Sequence, residues 1–201
     1  MVDGALAVWG LTGNIACGKS LVERILEEQG VPVVDTDRVA REIVEPGEPA
    51  LAEIHARFPG VVKDGRLDRA ALGAVVFADP AARKDLEATT HPRIFARTAE
   101  HVMRHAAAGH TLVMVSAALM VETGSYRNYA GLLVVTCPPE TQLERLLARD
   151  GFTEEDARRR IAAQMPQEEK ASHADAVIDN GGTPEETRSQ VLAWLGAVRP
   201  G

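Results

Sequence analysis

Gly13 to Ser20 reads GNIACGKS: a glycine, any four residues, then Gly-Lys-Ser. That spacing suits a loop that wraps a nucleotide's phosphates. Glycines allow a tight turn whose backbone N–H groups point inward at phosphate oxygens. A helix that starts at the loop adds the positive end of its dipole. Lys19 is expected to reach the β- and γ-phosphates, and the Ser20 hydroxyl to ligate Mg²⁺. Gly13, Asn14, Ile15, Ala16, Cys17, Gly18, Lys19, Ser20 and Leu21 are therefore the expected triphosphate cradle. Cys17, inside the loop, reads as small filler rather than a redox centre.

A second group of chemical residues is VVDTD, which brings Asp35 and Asp37 to the end of a short apolar run. In a parallel sheet, strand carboxyl ends and helix amino ends share the edge where ligands bind. A carboxylate there can take a proton from an attacking hydroxyl or help hold Mg²⁺. The plainer alternative is that both aspartates cap the next helix. A third group is ERLLARDGFTEEDARRRIAAQ, with Arg145 and Arg149 before a turn and Arg158 to Arg160 after it. Arginine forks stabilise the charge that phosphoryl transfer spreads over equatorial oxygens, and a closing segment excludes water. Each arginine alone could equally belong to a solvated helix face. The apolar runs LVMVSAAL and LVVTCPP lack the strand-end Asp of switches and motors, and no Asn-Lys-x-Asp signature occurs. Both facts count against a GTPase or a motor ATPase.

These residues need a scaffold, and the hydrophobic pattern supplies one. Ala5 to Leu11 reads as a buried strand and Gly18 to Gln29 as an amphipathic helix closed by Gly30. Val31 to Asp35 reads as a second strand. Thr111–Val115, Gly131–Cys137 and Ala174–Ile178 read as further strands, with helices at 140–149, after Thr153, and from Thr183-Pro184 onward. Between the second and third strands lies a helical stretch. It breaks at Pro46-Gly47, turns at Asp64-Gly65, and has Asp68 and Asp79-Pro80 as helix starts. One helix covers AARKDLEATT, and another follows HPRI and runs to Gly109. The expected fold is α/β: a P-loop kinase-like parallel sheet covered by helices on both faces, with a helical substrate-binding insert and an Arg-rich lid. It is expected as one domain over 1–201, with core about 1–37 and 110–201, insert about 38–109 and lid about 145–165.

Composition narrows the partners. The chain has 201 residues and a formal net charge of −7, which disfavours a nucleic-acid groove or an anionic membrane surface. Cys17 and Cys137 are too few and too scattered for a disulfide framework or zinc site, and read as reduced thiols of a cytoplasmic protein. The start MVDGALAVWG lacks the basic region of a signal peptide, and no run reaches membrane-span length.

Several stretches, in order, resemble the dephospho-CoA kinase family: GLTGNIACGKS, VVDTDRVAREIVEPGEPAL, DGRLDRAALGAVVF, LEATTHPRI, RLLARDG and RIAAQMPQEEKASHADAVIDNGG. The resemblance implies transfer of the γ-phosphate of ATP, with Mg²⁺, to the ribose 3′-hydroxyl of dephospho-CoA, the last step of coenzyme A synthesis. It implies that Asp35 is the base and that Asp37, Arg41, His91 and Glu122 belong to the acceptor side. It also implies that Arg145 and Arg149 lie near ATP and Asn180 near the adenine. Taken alone, His91 before a proline reads as structural and Arg41 as a helix-surface residue. Three departures from the family pattern stand out. Asn14 replaces a second glycine, which its tolerance of the left-handed region would permit. Leu21 replaces a threonine. SAALMVE (Ser116–Glu122) replaces Pro-Leu-Leu-Phe-Glu, keeping Glu122. Two other readings are another small-molecule or nucleoside-monophosphate kinase, and a non-catalytic nucleotide switch.

Overall fold

A computed structural model describes residues 6–199. In chain order the elements are β1 (Ala7–Gly13), α1 (Lys19–Glu28), β2 (Val33–Asp35), α2 (Thr36–Glu42), α3 (Pro49–Arg57), β3 (Val62–Lys63), β4 (Arg66–Leu67), α4 (Arg69–Ala78), α5 (Pro80–Ala107), β5 (Leu112–Ser116), a 3₁₀ turn (Ser125–Asn128), β6 (Gly131–Thr136), α6 (Pro139–Asp150), α7 (Glu154–Ala162), α8 (Gln167–Ala171), β7 (Ala176–Asp179) and α9 (Pro184–Val198). The expected start of the first strand, Ala5, lies outside the described residues, as do the first residues of the stretch read for a signal peptide.

β1 is apolar because both its faces are covered. It runs parallel to β5 on one side and β6 on the other, and β6 runs parallel to β7. The sheet order is β2-β5-β1-β6-β7. Flanking helices press their stripes onto it: Val22, Ile25 and Leu26 from α1, Val191, Trp194 and Leu195 from α9, against Leu11, Met114, Leu133 and Val135. Parallel strands buried on both faces are expected to read as continuous apolar runs, and these do. Each strand end then delivers its next residues to one edge, with Gly13 leading into the phosphate loop and Ser116 registered beside Leu11.

The chain divides into two compact units. One carries the residues up to Val34 and from His105 on, and the other is Asp35–Arg104. In the second, the β3–β4 hairpin turns at Asp64 and Gly65, both with positive φ (50° and 72°). Asp68 caps α4 by accepting from the Ala71 N–H at 2.9 Å, and Asp79 accepts from the Ala81 N–H at the start of α5. The sequence pattern suggested a break at HPRI. The structure has one 28-residue helix, α5, with Pro92 inside it and His91 at mid-helix. A proline leaves the carbonyl four residues earlier without its N–H partner. Around it, side chains donate to neighbouring carbonyls: Thr89 to Asp85, Thr90 to Leu86 and Arg93 to Thr89. Buried Ala82 on one side of the proline and Thr98 and Val102 on the other hold the helix in place, so packing overrides the local signal.

Candidate active site

The phosphate loop sits between β1 and α1. Gly18 precedes α1 in the left-handed region, φ 89°. A Cβ there would also fall 1.9 Å from Asn180 Nδ2, so only glycine fits. Asn14 does not use the left-handed conformation that it tolerates. Ala16 does, at φ 61°. Asn14 instead turns its amide outward to donate to the Met165 carbonyl at 2.8 Å.

Polar side chains hold the loop from outside, Gln142 and Asn180 among them buried, and most escaped the sequence reading. Ile15 N–H donates to Gln164 Oε1 at 2.8 Å, and Gln142 Nε2 donates to the Ile15 carbonyl at 2.8 Å. Gln167 Oε1 accepts from the Cys17 thiol at 3.1 Å and from the Cys137 N–H at 3.0 Å, while its amide donates to Gln142. One signal for Gln142 was available: it lies four residues before Leu146, on the apolar stripe of α6. Asn180, expected near an adenine, is buried with its side chain committed to the loop. Its Nδ2 donates to the Cys17 carbonyl at 2.8 Å and its Oδ1 accepts from Thr187 at 2.7 Å. The neighbouring Cys137 sulfur, and then burial, push the Cys17 thiol strongly up, while the Cys17 neighbour holds Cys137 down.

Lys19 leads out of the loop into α1. Its ammonium donates to Ser116 Oγ at 2.6 Å and pairs with Glu23 at 2.7 Å. Ser20, the next residue, is exposed at the first turn of α1. Of the lid arginines, Arg145 points at the loop. Its Nη1 lies 3.7 Å from the position of a Gly18 Cβ, and it is buried without a hydrogen-bond partner. The others turn to their own neighbours. Arg149 pairs with Asp150 at 2.7 Å, which raises the arginine's pKa and lowers the aspartate's. Arg158 pairs with Glu154 at 2.7 Å, Arg159 pairs with Asp156, and Arg160 stacks 4.2 Å from the Phe152 ring centre. Glu122, in the atypical SAALMVE segment, pairs at 2.9 Å with Lys170, a fully buried lysine the sequence reading passed over.

In the Asp35–Arg104 unit, Asp35 ends β2 and caps α2 by accepting from the Asp37 N–H at 2.9 Å. Its second oxygen lies 3.6 Å from Arg38, whose side chain is well exposed. Capping therefore occupies one oxygen, and the other faces the exposed Arg38 side chain. Asp37 sits in the first turn of α2 and Arg41 in its last. His91 is exposed on α5.

A parallel sheet whose first strand feeds a glycine loop, a lysine and a helix start defines a P-loop kinase fold. The comparisons give the family. The dephospho-CoA kinase family model matches residues 7–186. A dephospho-CoA kinase of Anaeromyxobacter dehalogenans is 46% identical over 198 residues, covering 98% of this chain and 94% of its own. A solved Thermus thermophilus protein superposes with a TM-score of 0.88 at 36% identity, covering 98% of this chain and all of its own. The solved dephospho-CoA kinase from Campylobacter jejuni gives 0.73 at 29% identity, over 95% of this chain and 96% of its own. The chain belongs to the dephospho-CoA kinase family.

Proposed function

We propose that the chain transfers the γ-phosphate of ATP to the ribose 3′-hydroxyl of dephospho-CoA, giving coenzyme A and ADP. The observation that carries this is the family match across residues 7–186, which includes the loop, both aspartates and the lid.

In the mechanism we infer, backbone N–H groups of the loop hold the phosphates and Lys19 leaves Glu23 for the β- and γ-oxygens. Arg145 already carries a buried, unpartnered guanidinium nitrogen at the loop, so meeting an equatorial phosphate oxygen costs it no existing bond. Asp35 accepts the 3′-hydroxyl proton as the oxygen bonds to the γ-phosphorus, and the bridging bond to ADP breaks. Asp37, Arg41 and His91 hold the acceptor, as does Glu122, whose carboxylate Lys170 fixes. Asn180 keeps the loop in shape.

The exposed Ser20 hydroxyl in the first turn of α1 fits Mg²⁺, which usually takes only one or two protein ligands and completes its shell with phosphates and water. Ser20 would hold it, and bound there it supplies the charge that neutralises the β- and γ-oxygens. Among the described residues no helix is long and apolar enough to cross a membrane. The two free, buried thiols agree with a reducing, cytoplasmic setting.

The deciding assay measures ADP release with dephospho-CoA beside nucleosides, shikimate and gluconate. Turnover is expected with dephospho-CoA, and its absence there sinks the reading. Asp35→Asn should keep ATP binding and lose about two or more orders of magnitude in kcat, the upper range of general-base effects. Normal turnover in that variant would remove Asp35 as base. If wild-type protein bound ATP but phosphorylated no acceptor, it would be a nucleotide switch.

A further inference from the structure

β5 ends in Ser116, where a switch or motor of this fold carries the aspartate that helps hold Mg²⁺. A carboxylate nevertheless stands at that strand end, brought by a different element. Glu23 of α1 accepts from Ser116 Oγ at 2.5 Å and pairs with Lys19 at 2.7 Å. Lys19 donates to the same hydroxyl at 2.6 Å. Ser116 is fully buried, and the Lys19 and Glu23 side chains are each 16% exposed.

Helix electrostatics alone do not account for this pairing. Lysine four residues before glutamate is the less favourable order along an α-helix, and this lysine stands at the positive end. Ser116, 93 residues from Glu23 in sequence, fixes the carboxylate from outside the helix. Glu23 also lies three residues after Ser20, so the two share a face of α1. A lysine that must bind triphosphate is thus held by a carboxylate that shares a helix face with the expected metal ligand.

We propose that Glu23, held by Ser116, supplies the carboxylate that the end of β5 lacks. In the free protein it neutralises Lys19. With nucleotide bound, Lys19 passes to the phosphates, and Glu23 faces the water shell of the Mg²⁺ beside Ser20. This role rests on Lys19 and Ser20 serving ATP as proposed above. Its consequence is a strong dependence of ATP affinity on Mg²⁺. Without the cation, Glu23 opposes ATP twice, by retaining Lys19 and by repelling the triphosphate. With it, the same charge becomes attractive.

Calorimetric titration with ATP, in EDTA and in Mg²⁺, tests this on wild type, Glu23→Gln and the double variant Glu23→Gln/Ser116→Asp. Glutamine keeps the size and an acceptor for Ser116 but removes the charge. In EDTA, Glu23→Gln is expected to bind ATP about fivefold tighter than wild type, the effect of losing a near, partly screened like charge. The gain in affinity on adding Mg²⁺ should shrink about tenfold in that variant, some 1.4 kcal/mol. Ser116→Asp in the same background returns a carboxylate from the strand end and should bring the Mg²⁺ gain back to within about threefold of wild type. Ser116→Ala keeps the charge but releases it, and should reduce the Mg²⁺ gain about threefold. It decides the matter if Glu23→Gln does not fold. A purely structural Glu23 would weaken ATP equally in both buffers. That result, or no tightening in EDTA, overturns the proposal alone. Wild-type protein that binds ATP in neither buffer overturns the kinase reading and this proposal with it.

Discussion

Ala16 carries a backbone that a Cβ disfavours. At φ 61° it sits in the left-handed region inside the phosphate loop, where an L-residue with a Cβ loses roughly 1–2 kcal/mol. Ala16→Gly removes that strain at the cost of a looser unfolded chain, and should raise stability by about 1 kcal/mol in urea titration. The spacing of glycines and lysine was legible in the sequence because it is a local turn requirement. Which non-glycine loop residue bears a left-handed backbone was not: Asn14 tolerates that region, yet Ala16 takes it and the Asn14 side chain bonds to Met165. Cys17 shows the same limit. Its neighbour Cys137 lies 120 positions away in the chain, yet that sulfur, with burial, keeps the Cys17 thiol protonated. Thiolate is the reactive form, so iodoacetamide at neutral pH should label native protein at Cys137 before Cys17. Mass spectrometry of the tryptic peptides reads the order.

At the scale of elements, caps and stripes were largely readable. Thr183 and Glu186 form the capping box that starts α9, and Thr153 caps α7. Asp68 caps α4 and is also paired with Lys63 at 2.7 Å, which holds its carboxyl below the usual range. A depressed carboxylate pKa stabilises the fold fully above the group's unfolded value, and the contribution fades as pH falls through the folded one. Asp68→Ala should therefore lower Tm at neutral pH. The difference from wild type should close in strong acid, as pH-dependent thermal melts would show. The lid illustrates what composition conceals. Five arginines promised a cationic cover, but Arg149, Arg158 and Arg159 are matched by their own acidic neighbours and Arg160 by Phe152. Arg145 alone among these five points a buried, unpartnered nitrogen at the loop. Helix α5 is the opposite case. Its sequence signals a stop at Pro92, and the helix continues because buried contacts on both sides of the proline outweigh one lost bond.

On the scale of the whole molecule, long-range polar pairs decide how the segments meet. Lys170 has no exposed surface, pairs with Glu122 and donates to the Ala118 carbonyl at 2.9 Å, 52 residues away. Thr12 donates to the same carbonyl at 3.2 Å, tying β1 to the SAALMVE segment. Breaking a buried pair by removing one partner costs about 3–5 kcal/mol. Glu122 keeps some contact with water, so Lys170→Met should lose about 2 kcal/mol, read from the urea midpoint. The alternation of apolar runs with amphipathic helices was enough to expect a parallel sheet, and the order of motifs along the chain was enough to expect the dephospho-CoA kinase family. The sheet rests on local information, a period of two or 3.6 and turns that need glycine; the family rests on the resemblance of those stretches. The tertiary structure alone decided that Lys19 pairs with Glu23 under Ser116, that Gln142, Gln164, Gln167 and Asn180 brace the loop, and that Lys170 is buried. A side chain's partner is set by distance in space, and these partners come mostly from elements far apart in sequence, where no local pattern reaches.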